Sequence, residues 1–275
     1  MNSTSFKFWA TFGLVGALLS IYLFATAPIP LESTGESHPT LSTAEAFELL
    51  AHENDVTRTL FTKAIVGAGK QQGLLFSEHW ADPEIHAGPL PALFLRGVAA
   101  HLAASPVPLG LFLGSDQPIE SSNRFQGRQA EEFEAMRKDP QPRIFLDEES
   151  GSTIGMFPDF ASAPACVSCH NDHERSAKHN WVLNDLMGAT TWSYPSDSVT
   201  TDEFLGMLKA YRAGVAEVWT AYLAKVDVMD GVPRPGVGEA WPKQGLFLPD
   251  LMTFQDSILH LAAPALVNEL VKKSS

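Results

Sequence analysis

Two cysteines, separated by two residues and followed at once by a histidine, are the only thiols in a chain of 275 residues: Cys166-Val-Ser-Cys169-His170. No third cysteine lies at a distance to staple the chain, so its fold must rest on a hydrophobic core. With 45% hydrophobic and 19% charged residues the chain can build one, as one good-sized domain with an appendage or as two small domains. The cysteine pair has a local job instead. C-x-x-C-H is the attachment signature of c-type haem. Two thiols at this spacing reach the two vinyl groups on one edge of a porphyrin and form thioethers. The next residue then lies beneath the iron, where an imidazole becomes the proximal ligand. Cys166 and Cys169 are the expected thioether donors and His170 the expected iron ligand, for one covalently bound haem c per chain. Other uses of the motif are a zinc site completed by His173 and His179, a local disulfide, or a thioredoxin-like pair. The last requires a βαβ unit, which the sequence does not suggest.

Phe8 to Ala27 carries no charged residue; Lys7 precedes it and Glu32 and Glu36 follow. Roughly 20 apolar residues are what a helix needs to cross a bilayer. The expectation is one transmembrane helix with its amino end in the cytoplasm. This places the protein as a single-pass protein of the inner membrane, its C-terminal domain in the periplasm, where haem c is attached. Ala25-Thr26-Ala27 resembles a signal-peptidase site, but Pro28 after the scissile bond makes a poor substrate, so a retained anchor is favoured over a cleaved leader.

Nineteen basic against 32 acidic residues give a net charge of -13. Such a surface repels phosphate backbones and excludes nucleic acid. It serves solubility, or steers a basic redox partner by long-range attraction.

Residues 28–42 read as a Pro/Ser/Gly-rich linker. A helix is expected from Thr43 to the glycines Gly67 and Gly69, and a second over Ala92–Ala104. LGLFLG (109–114), RIFLD (143–147) and the edge 151–160 read as strands, with a short helix over Gln129–Lys138 between the first two. Few helices among short strands, without βαβ alternation, indicate an α+β domain on a small antiparallel sheet flanked by helices. Thr200 and Glu203 open a long amphipathic stripe over 200–225, and a last helix is expected over Leu248–Val271. The domain reading is an anchor (1–27), a linker (28–42), a haem domain (43–197) and a helical extension (198–275).

GPLPALFLR (88–96), the Asn-Arg-Phe to Glu-Glu-Phe region (123–133) and CVSCHNDH…W-x-L-x-D-x-x-G (166–188) resemble the PAS-like, single-haem c-type sensor domains exported by bacteria. The resemblance spans about 43–196. It implies a PAS-like fold with a five-stranded antiparallel sheet, haem held against the sheet, and Trp181 near the cofactor. Some members supply a second iron ligand from an upstream cysteine, which this chain lacks. Upstream substitutes are His52, His79, His86 and His101, with Met136 and Met156 behind them. His79 and His86 flank a turn near the position the resemblance implies; His79 is preferred, with Trp80 as a pocket wall and His86 second. His173 and His179 are assigned to haem propionates or water.

No catalytic constellation is visible, so a non-enzymatic haem protein is expected. It is a redox or gas sensor passing its signal to a separate signalling protein, or an electron-transfer cytochrome or haem subunit serving a basic redox protein. A second copy of the chain is a further expected partner.

Overall fold

In the computed structural model, which describes residues 40–229, 234–238, 240–242 and 246–273, the first long helix begins where its cap dictates. Strand β1 (Thr40–Ser42) ends in a reciprocal capping box, in which Ser42 Oγ accepts the Glu45 amide and the Glu45 carboxylate accepts the Ser42 amide. Helix α1 (Thr43–Leu60) follows and winds on through a π-helical stretch, Phe61–Gly67, into Ala68–Gln71. The stop expected at Gly67 and Gly69 comes late. Gly69 serves close packing, since a Cβ there would lie 2.9 Å from Leu74 Cδ1. The chain turns instead at Gly73, whose φ of 94° suits a residue without a side chain.

Strands β2 (Phe76–Ser77) and β3 (Gly88–Pro89) bracket a loop, and α2 (Pro91–Ala104) starts on its proline. The main sheet is built from β4 (Gly110–Gly114), β5 (Arg143–Asp147), β6 (Ser152–Phe160) and β7 (Leu186–Tyr194), in the order β4-β7-β6-β5. Every neighbouring pair is antiparallel. Helix α3 (Gly127–Lys138) lies between β4 and β5 in the chain, and α4 (Pro164–Asp172) between β6 and β7. β8 (Ser198–Thr200) pairs antiparallel with β1 and feeds α5 (Thr201–Asp227) through the Thr200–Glu203 capping box. The two-residue strands β9 (Gly236–Val237) and β10 (Phe247–Leu248) precede α6 (Leu251–Lys273).

Alternation along β7 sends side chains into two cores. Trp192 and Tyr194 join the larger one; Ala189 faces a smaller one with Phe125, Phe133, Met136, Phe145, Ile154 and Met156. Four rings centre the larger core. Phe61 stacks on Phe94 and Trp219 on Phe254, both at 4.3 Å between centroids, and edge contacts Phe61–Trp219 and Phe94–Phe254, both 6.3 Å, close the square. Each such pair contributes about 0.5–1.5 kcal/mol beyond burial. Beside them, Arg212 Nε and Nη2 donate to the two oxygens of the buried Glu53 carboxylate at 2.6 and 2.7 Å.

The expected architecture is corrected at three points. The main sheet has four strands, not five. Residues 201–273 are no appendage: Phe204, Tyr211, Trp219, Tyr222 and Phe254 lie inside the larger core. The amphipathic stripe on α5 therefore marks an internal face of the domain. Finally, a single-pass inner-membrane placement is not supported, because among the described residues no helix is long and apolar enough to cross a membrane. The stretch Phe8–Ala27 lies outside the described residues.

Because α5 and α6 supply half of the ring square, a chain ending at Asp197 is expected to lose its cooperative thermal transition by circular dichroism. In the full chain, Phe254→Ala should cost about 3–5 kcal/mol, read from the shift of the denaturant midpoint.

Candidate functional site

Pro164 opens α4 after the extended Ala163. Helical winding then places Cys166, Cys169 and His170 at relative positions 0, 3 and 4, which share one face. Cys166 is half-buried, Cys169 is exposed, and both thiols are free. Partial shielding of the sulfur itself, reinforced by the negative charge of Glu78, pushes the Cys169 thiol up from its ordinary range. That is opposite to the lowered thiol of a redox-active pair.

His170 is half-buried, and its ring meets Trp181 edge-on at 6.2 Å and 86°. Burial pushes its pKa down against an opposing pull from Asp159. The ring is therefore neutral at pH 7, the protonation state that ligates metal. Its Nδ1 is shielded and, among the described residues, has no hydrogen-bond partner, and neither has Nε1 of the buried Trp181. Two thiols and a neutral imidazole on one helical face, with orphaned nitrogens behind them, fit the demands of a C-x-x-C-H haem site.

The loop after α4 explains the Trp, Asp and Gly spaced behind the motif. Asn171, next to His170, clips Trp181 from both sides: the Trp181 amide donates to Asn171 Oδ1 at 2.8 Å and its carbonyl accepts from Asn171 Nδ2 at 3.0 Å. The Lys178 ammonium lies 3.5 Å from the Trp181 ring centroid and 3.0 Å from Asp185 Oδ2. Asp185 also accepts from the Val182 amide, while its own carbonyl accepts from the Ala161 amide at 2.9 Å. Gly188 lets β7 approach β4, since a Cβ there would lie 2.3 Å from the Gly114 carbonyl oxygen.

Glu78 ties the β2–β3 loop to this region. It lies 3.5 Å from His173 Nε2 and 3.3 Å from Arg175 Nη2, and Arg175 also pairs with Glu120. The sequence-derived iron-ligand candidates fare differently. His79 stands beside Glu78 with its side chain 73% exposed, and His86 is half-buried with no hydrogen bond among the described residues. Trp80 packs against the larger core. His52 is exposed on α1, and His101 Nδ1 lies 2.5 Å from Glu217 Oε2. Met136 and Met156 are sealed in the smaller core.

His179 donates from Nδ1 to the Asn171 carbonyl at 2.7 Å, and His173 turns to Glu78. The zinc alternative is not assembled: among the described residues no three His, Cys, Asp or Glu side chains gather to hold a metal ion. Asn171, Lys178 and Glu78 escaped the sequence reading. Adjacency to His170 was a usable signal for Asn171; nothing in the sequence joins Glu78 to residues nearly a hundred positions away.

A cavity of about 140 Å³ lies elsewhere, among α1, α5 and α6. Of its charged lining, Glu53 and Arg212 pair with each other. Comparison with protein-family models, curated proteins and solved structures finds no match to this chain.

The Asp185 carboxyl is held below its ordinary range by Lys178 first and by the Val182 amide next. A depressed carboxyl contributes stability that is complete above its unfolded value and is lost as pH falls through the folded one. Asp185→Asn should therefore weaken amide-exchange protection of Val182 at pH 7. The difference from the parent should begin to shrink as pH drops below about 3.9 and vanish only below the lower folded value.

Proposed function

We propose that the chain carries one haem c, joined to Cys166 and Cys169 with His170 as proximal ligand, and responds to redox change or a small gaseous ligand. The observation that carries this reading is the convergence on one face of α4 of two free thiols and an imidazole whose inner nitrogen is shielded and, among the described residues, unpaired. The bound haem would supply one-electron chemistry and an iron site for diatomic ligands. The chain's own residues would do the rest. Asn171 and Trp181 close the back of His170, and Lys178 and Arg175 provide cations within reach of the motif loop.

A response to the cofactor has a route into the helical core. The β2–β3 loop that holds His173 and Arg175 through Glu78 is itself held by Lys225 of α5, which donates to the carbonyls of Trp80 and Asp82. That two-sided anchorage supports sensing with output to a separate signalling protein. The net charge of -13 supports the second reading, electron transfer to a basic redox protein.

The full chain, expressed with a haem c maturation system, should keep its haem through denaturation and give a c-type reduced pyridine haemochrome at one haem per chain. Replacing both cysteines by alanine should abolish it. Haem removed by acid-acetone, or stoichiometric zinc in its place, would overturn the reading. Binding of carbon monoxide or nitric oxide to the reduced protein favours the sensor; salt-sensitive electron exchange with a basic cytochrome favours the carrier.

A further inference from the structure

We propose that Trp181, held by Asn171, is a positioning residue that fixes the rotation of the His170 imidazole by ring contact. The inference rests on the haem reading above and deepens it. A histidine that ligates metal ordinarily donates its second ring N–H to a carbonyl or carboxylate, and that bond sets both tautomer and ring rotation. Among the described residues His170 has no such acceptor, although its Nδ1 is shielded from solvent. What meets the ring is Trp181, 2% exposed and nearly perpendicular to it.

Trp181 is itself immobilised. Its backbone is clipped on both polar atoms by the Asn171 amide, and its ring lies under the Lys178 ammonium. Asn171 follows His170 directly on α4, so one side chain couples the packing ring to the turn that carries the ligand. Two consequences are expected. His170 acts as a plain neutral imidazole without imidazolate character, because no acceptor draws on its N–H. Its ring angle depends on an aromatic edge at position 181 and on the amide at 171, while haem attachment through Cys166 and Cys169 depends on neither.

The test uses the full haem-loaded chain and takes two readouts from each sample, the pyridine haemochrome and the ferric electron paramagnetic resonance spectrum. Asn171→Ala and Trp181→Leu should retain one covalent haem per chain and shift the g-values. Trp181→Phe, which keeps an aromatic edge, should restore parental g-values. Asn171→Ala removes the clip without emptying the core, so it carries the test alone if Trp181→Leu fails to fold. Parental g-values in Asn171→Ala, or a Trp181→Phe spectrum displaced as far as that of Trp181→Leu, would overturn the positioning role. A parent chain without covalent haem would overturn the cofactor reading instead, a separate and recognisable failure.

Discussion

The square of rings formed by Phe61, Phe94, Trp219 and Phe254 is the contact on which the rest depends. Its four corners come from the π-helical stretch, α2, α5 and α6, so no two consecutive helices could close it alone. Once it is closed, the last turns of α5 are fixed, and they in turn fix the β2–β3 loop. Lys225 donates to the carbonyls of Trp80 and Asp82, and the Tyr222 ring lies so close to Gly88 that a Cβ there would come within 2.6 Å. That loop presents Glu78 to His173 and Arg175. Packing in the helical core thus sets one wall of the candidate site, through contacts far apart in sequence.

Local signals were legible and distant ones were not. The capping box at Thr200, the proline that opens α2 and the short apolar runs of β5 and β6 can be read from neighbouring residues, because caps and strands are decided over a few positions. β7 escaped. It is the central partner of β4 and β6, and the run Gly188–Trp192 is buried without a break, so it lacks the polar–apolar alternation of a half-exposed strand. The helix of residues 201–227 was recognised, but its place was not: an apolar stripe says that a face will be covered and is silent about by what. At the site, the C-x-x-C-H residues could be named from spacing, and Trp181 only from the family resemblance. The clip through Asn171 and the tie through Glu78 are products of tertiary folding.

The neck of the β6–β7 connection has a consequence for how the domain tolerates change. Residues 161–185 leave the sheet and return to it between two strands that are direct neighbours, and the exit is zipped. The Ala161 amide donates to the Asp185 carbonyl at 2.9 Å, and the Asn184 amide to the Ala161 carbonyl at 3.0 Å. Everything beyond that zip, the paired cysteines included, is topologically a graft on a hairpin. The closure entropy of such an excursion grows only logarithmically, about 0.6 kcal/mol for each doubling of its length. A change in the length of the graft therefore costs little chain entropy, while the strands beneath can keep their register.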